Sequence, residues 1–182
     1  MAAYVALLRG INVSGHNMIK MADLKAELFH LGFQNLGTYL QSGNVVFESD
    51  LTSSTALEKL ISEEILRGFG FNIMVKVIGK REFQQAYKSN PFLANSEIDT
   101  KQLYYIHLKG EPDLDVFMEL QNDEKFPEQM NLEGEVIYVN YVKGFGRSKL
   151  SGNILERKLK VSATARNHNT MKKLYQMLDN LG

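Results

Sequence analysis

One order of structural signals occurs twice along this chain, and that order constrains the fold more than any single motif. Tyr4 to Leu8 is an apolar run closed by Arg9-Gly10, the mark of a buried strand. Met21, Leu24, Leu28 and Leu31 then recur at helical spacing and stop at Gly32, a residue type on which helices commonly end. Thr38 to Gln41 and Asn44 to Glu48 are β-rich runs on either side of Ser42-Gly43, which predicts a hairpin on a two-residue loop. Leu57, Leu60, Ile61 and Ile65 mark a second helix, with Thr55 and Glu58 as a capping box at its start and Gly68 and Gly70 at its end. Ile73 to Ile78 closes the set as a strand, so the first half reads βαββαβ.

After a helix with Phe83, Ala86 and Tyr87 on one face, stopped by Asn90-Pro91, the order restarts. Leu103 to Leu108 predicts a strand, and Leu114, Phe117 and Met118 a short helix with Asp113 near its cap. Met130 to Leu132 and Val136 to Val142 flank a turn at Glu133-Gly134. Ile154, Leu155 and Leu159 mark a helix that starts between Lys149 and Asn153, Val161 to Ala165 a last strand, and Met171, Leu174, Tyr175 and Leu178 a final helix. The expected fold class is α+β: two tandem βαββαβ subdomains of the ferredoxin-like plait packed together, with a linking helix and a C-terminal helix. The expected boundaries are residues 1–79 for the first subdomain, 80–92 for the linking helix, and 93–182 for the second subdomain with its C-terminal helix. Residue identity between the halves is slight, so what repeats is element order.

Composition supports a folded chain. With 182 residues, 44% hydrophobic and 23% charged, the chain has the length of one large domain or two small ones, and intrinsic disorder is excluded. Cysteine is absent, which removes disulfides, thiolate metal sites and cysteine nucleophiles together and suits a reducing, cytoplasmic setting. The apolar runs fall far short of the ~20 residues of a membrane span, and the N-terminus lacks the basic start of a signal peptide, so no membrane association is expected. Formal net charge is zero, yet charge is segregated: Glu111 to Glu135 holds nine acidic residues and one lysine, while Tyr141 to Gly182 holds nine basic residues and two acidic ones. These are either solvated faces that offset each other or a basic site for a phosphate-bearing ligand.

Among the motifs, Gly10 and Gly15 in the Arg9 to Lys20 loop have the glycine spacing of a P-loop, but His16 and Asn17 stand where lysine and Ser/Thr belong. That leaves a structural connection or a looser anion loop that uses Arg9, Gly10, Asn12 and Lys20. Lys143-Gly144-Phe145-Gly146 opens like an RNA-recognition motif, and Arg147, Ser148 and Lys149 break it. A strand-to-helix loop fits better there, with Arg147, Ser148, Lys149 and Ser151 just before a helix N-terminus, where an anion is favoured. Arg166-Asn167-His168-Asn169-Thr170 repeats the arrangement at the last helix, with Asn167 or Asn169 as its cap. Ser42 lacks the context of a nucleophile elbow. The four histidines, His16, His30, His107 and His168, are too dispersed for a metal site, and no metal or cofactor is expected. The motifs contain no Asp or Glu, so they suit the holding of anions and amides better than proton transfer.

Leu8-Arg9-Gly10-Ile11-Asn12-Val13, Ile19-Lys20-Met21, Tyr39 to Phe47, Asn90-Pro91-Phe92, Gly144 to Ser151 and Ala163 to Thr170 together resemble one bacterial family, the domain of unknown function 1697 family. The resemblance implies an α+β protein without an established activity. Two positions depart from the family pattern: Ser14 stands where glycine is usual, and His168 where tryptophan is common, so any stacking on a ligand there would be weaker.

The expected function is that of a binding protein for a phosphate-bearing ligand, a nucleotide or short single-stranded nucleic acid, in a basic, amide-rich cleft. Arg9, Lys20, Arg147, Lys149 and Arg166 would supply charge. Gln41, Ser42, Asn44, Ser148, Asn167 and Asn169 would supply hydrogen bonds, with backbone amides at Gly10, Gly43 and Gly146. Arg9, Lys149 and Arg166 are expected to converge, with Arg166 a surface group whose removal costs no more than about 0.5 kcal/mol. Two alternatives stand beside this reading: a transferase or hydrolase on a phosphorylated metabolite, with His16 or His168 as proton carrier, and a structural or protein-interaction module.

Overall fold

Strand β1 (Ala2–Leu8) is buried at six of its seven residues, and a strand covered on both faces reads as a continuous apolar run instead of an alternating one. In the computed structural model, which describes residues 1–181, β1 pairs antiparallel with β3 (Asn44–Ser49) on one side and β4 (Val75–Gly79) on the other. β2 (Gln34–Tyr39) lies outside β3, giving the order β2-β3-β1-β4. Helices α1 (Met21–Phe29) and α2 (Ser54–Phe69) bury Leu24, Leu28, Leu57, Ile61 and Ile65 in one core with Tyr4, Ala6, Leu8, Val45, Phe47, Val75 and Val77.

Two local expectations in this sheet need correction. The cap of α2 is Ser53, whose hydroxyl accepts from Ala56 N–H at 3.2 Å. Thr55 lies inside the helix, and Glu58 is buried, where it accepts the Val77 N–H of β4 at 3.0 Å. The hairpin loop has four residues, Leu40 to Gly43, because Tyr39 and Asn44 are already paired across the ladder. Leu40 and Gly43 both take positive φ, at 56° and 77°, to close it.

The second sheet repeats the order. β5 (Leu103–Lys109) pairs antiparallel with β7 (Val136–Asn140) and β8 (Ser162–Asn167), and β6 (Gln129–Glu133) lies outside β7, so the order is β6-β7-β5-β8. α4 (Leu114–Asn122) is capped by Asp113 and α5 (Gly152–Leu159) by Ser151. Phe117, Leu120, Leu155 and Leu159 from these helices pack with Ile106, Leu108, Ile137 and Val139.

With α3 (Lys80–Lys88) and α6 (His168–Asp179), the described residues form a mixed α+β chain of two four-stranded antiparallel sheets and six α-helices. They fall into two compact units, one made of Met1–Gln85 and the chain from Lys173 onward, the other of Ala86–Lys172. Within the first unit, Lys80 Nζ donates to the Leu181 carbonyl and Gln84 Nε2 to Asp179 Oδ1, both at 2.6 Å. Gly37 of β2 lies against Met177, whose Cε a Cβ at residue 37 would approach to 3.2 Å. No helix among the described residues is long and apolar enough to cross a membrane.

Candidate functional site

In the first unit, the loop after β1 and the β2–β3 hairpin loop are joined by Asn12. Held at φ 54°, its side chain donates to the Ile19 and Gln41 carbonyls and accepts from Ile19 N–H, each at 2.8 Å. Asn17 donates to the Gly10 carbonyl at 3.0 Å. Asn44 is buried and donates to the Tyr39 carbonyl at 2.7 Å and to Ser42 Oγ at 3.0 Å. The side-chain amides of Asn12 and Asn44 therefore brace two loops. Gly43 accepts Leu8 N–H at 2.9 Å. Arg9, Gly10, Lys20, Gln41 and Ser42 are exposed, and Asn12, Lys20 and Gln41 line a cavity of about 250 Å³ with Met18 and Ile19.

In the second unit, alternation along β8 decides the fate of the last motif. Ala163 and Ala165 pack on the α4–α5 side, which sends Thr164 and Arg166 to the other face of the sheet. That face is covered as well, since Tyr105, His107 and Tyr138 on it are buried. Arg166, opposite Tyr105 in the ladder, is only 6% exposed. Its Nη1 donates to Thr164 Oγ1 and to the Ala165 carbonyl at 2.8 Å. Burial pulls its guanidinium down to about 10, so it is still charged at neutral pH. The expectation of a surface Arg166 is thus corrected.

Asn167 Oδ1 accepts Thr170 N–H at 2.8 Å, which makes it the cap of α6; Asn169 is exposed in the first turn. His168 does stack, but on Tyr87, at 5.4 Å and 25°, with Nδ1 3.1 Å from the Tyr105 hydroxyl. Burial first, and the charge of Lys172 second, hold its imidazole below the usual range. The unfolded chain then binds this proton more readily than the folded one, so the stability tied to His168 is full above about pH 6.5 and declines as pH falls through and below that value. His168→Phe should flatten the drop in melting temperature on acidification; an equally steep drop in the variant would exclude this histidine as its source.

The segment from β7 to α5 forms a basic cavity. Gly144, at φ 83°, donates to the Tyr141 carbonyl at 2.7 Å, and a 3₁₀ turn over Phe145–Arg147 follows. Ser148 ends that turn. Its hydroxyl donates to Glu128 Oε1 at 2.5 Å and accepts from Leu150 N–H at 2.9 Å. Glu128 is 5% exposed, and its Oε2 has no hydrogen-bond partner among the described residues. Lys125, Lys143, Arg147 and Lys149, with Glu124, Glu128 and Ser148, wall a cavity of about 270 Å³. None of the four cationic side chains makes an ion pair or hydrogen bond among the described residues. Like charges gathered around a small cavity repel one another, and a bound anion offsets that repulsion.

The structure thus brings Arg147, Ser148 and Lys149 together and adds Lys125, Lys143 and Glu128, which motif reading did not assign. Lys125 carried a signal, since it is the one base in the acidic run from Glu111 to Glu135. Glu128 carried none.

A family model described as "Protein of unknown function (DUF1697)" matches residues 1–138, a stretch that includes Lys125 and Glu128 and ends before Lys143. No curated protein matches the chain. Among solved structures, the conserved bacterial protein SP0830 from Streptococcus pneumoniae is similar, with 24% identity, a TM-score of 0.70, and coverage of 97% of this chain and 98% of that one. At that identity the likeness speaks to the fold.

Proposed function

We propose for this chain, which belongs to the DUF1697 family of proteins of unknown function, the role of a binding protein for a phosphate-bearing ligand. One observation carries the reading: four cationic side chains without ion-pair partners among the described residues, Lys125, Lys143, Arg147 and Lys149, wall a single cavity of the second unit. The planar guanidinium of Arg147 suits paired phosphate oxygens, and the lysines act as mobile point charges. Arg166 and Asn167 have no part in this site, because one is buried and the other caps a helix.

We further propose that each βαββαβ set is a ferredoxin-like plait, the first in residues 1–79 and the second, with the C-terminal helix added, in residues 93–182, with the linking helix in 80–92 between, supported by the matching orders β2-β3-β1-β4 and β6-β7-β5-β8. The absence of cysteine supports a cytoplasmic setting.

Titration calorimetry with inorganic pyrophosphate tests the site. Binding is expected at low salt and should weaken as salt rises. Arg147→Ala and Lys149→Ala should each weaken it about tenfold, in the range of a charge-assisted contact. Both residues are exposed, so melting should not change. Glu128→Gln removes a negative charge from the wall while its amide oxygen can still accept from Ser148, so it should tighten binding. No heat from the parent protein, or equal affinities in all variants, would dismiss the reading.

A further inference from the structure

We infer that the ligand of this cavity carries a flat aromatic base that lies on the outer face of Phe145, which makes it a nucleoside phosphate. The inference rests on the phosphate reading above and adds a second recognition element beside it.

Phe145 sits in the turn between two wall residues, Lys143 and Arg147, and its carbonyl accepts Ser148 N–H at 3.2 Å. Its ring belongs to a three-ring set. Tyr104 stacks on one face, with centroids 4.5 Å apart and planes 12° apart. Tyr141 stands perpendicular to both, 5.1 Å from Phe145 and 5.2 Å from Tyr104. A ring over the far face of Phe145 would lie about twice as far from Tyr104 as from Phe145. Tyr141 is equidistant, so it lies alongside the stacked pair.

The far face of Phe145 therefore carries no ring, and Phe145 has no further ring contact among the described residues. The residue is 44% exposed. The ring alongside the pair is held in place: Tyr141 is buried, and its hydroxyl donates to the Leu150 carbonyl at 3.2 Å, next to Lys149. One buried tyrosine thus ties the aromatic face to the cationic loop. A part-exposed ring whose outer face is not taken by another ring suits base stacking.

Size points the same way. A cavity of about 270 Å³ is below the ~300–1,000 Å³ of pockets that enclose a drug-sized ligand. It has room for phosphoryl groups and leaves a base outside, and Phe145 lies on the same chain segment as the wall residues Lys143 and Arg147. An aromatic face accepts any base, so free nucleotides and single strands share this chemistry.

Titration calorimetry of the full chain with adenosine diphosphate, pyrophosphate, ribose 5-phosphate and an octameric oligothymidylate tests the inference. Adenosine diphosphate should bind about tenfold more tightly than pyrophosphate, consistent with base stacking on an aromatic side chain. Phe145→Ala should erase that advantage and leave pyrophosphate binding unchanged. Phe145→Trp should keep it, and because the chain has no other tryptophan, quenching of the indole emission on nucleotide addition reports stacking directly. Tighter binding of the oligonucleotide assigns the base to a strand, and tighter binding of the diphosphate to a free nucleotide. Equal affinity for adenosine diphosphate and pyrophosphate, equal loss of both in Phe145→Ala, or an unquenched indole would overturn the stacking inference and leave the anion site standing. Failure of pyrophosphate itself to bind would overturn both.

Discussion

Gly43→Ala is expected to lower the stability of the protein by about 2–5 kcal/mol, more than any other glycine substitution in the two loops of the first unit. Two effects add. Residue 43 has φ +77°, where a Cβ costs an L-residue about 1–2 kcal/mol. The added carbon would also lie 2.7 Å from Leu8 Cβ and from Ile11 Cδ1. The tip of Ile11 can turn away, but Leu8 Cβ is fixed to a β1 backbone that pairs on both sides, and overpacking of this kind costs about 1–3 kcal/mol. Gly10→Ala is the control, because φ is +68° there and nothing lies within 4 Å of the new carbon, so only the backbone cost applies. Urea unfolding of both variants gives the comparison, read at constant slope. A loss in Gly43→Ala no larger than in Gly10→Ala would mean that the hairpin loop stands further from β1 than this geometry has it.

Arg166→Ala is expected to destabilise by about 2–4 kcal/mol, from the cavity it leaves and from the loss of a donor to Thr164 Oγ1 and the Ala165 carbonyl. Arg166→Met separates the causes. It keeps most of the volume and removes a charge that burial penalises, so it should lose less than the alanine variant. Thermal melts decide between the two: an alanine variant within about 0.5 kcal/mol of the parent would return Arg166 to the surface and reopen its use as a ligand contact.

The misreading of Arg166 shows where local pattern stops being informative. Alternation in β8 separates Ala163 and Ala165 from Thr164 and Arg166, but it says only that the two sets face opposite ways. Whether the polar face meets water depends on what covers the sheet, and that is not a local property. β1 was legible for the converse reason, since a run without alternation declares burial on both faces.

Caps behaved similarly. Asp113 was legible at its helix start, whereas Ser151 lies within a start left open between Lys149 and Asn153. Thr55 and Glu58 matched the capping-box spacing better than Ser53 did, yet Glu58 serves a strand N–H nineteen positions away. For the site, the segment from Lys143 to Lys149, with Gly144 and Gly146 inside it, was visible as a loop with charge on it. Its opposite wall, Lys125 and Glu128, comes from the chain between α4 and β6 and could not be paired with that loop without tertiary structure.

The composition of the first unit also sets an order of events during synthesis. Residues Met1–Gln85 leave the ribosome before Ala86–Lys172, and earlier parts of a chain generally fold first. This part lacks the stretch from Lys173 onward, which brings Met177 to Gly37, Asp179 to Gln84 and the Leu181 carbonyl to Lys80. The second unit, Ala86–Lys172, has no such wait, because its chain is continuous. The unit begun earlier is therefore the unit completed later, and until the stretch from Lys173 onward has emerged it keeps an open flank at β2 and at the start of α3.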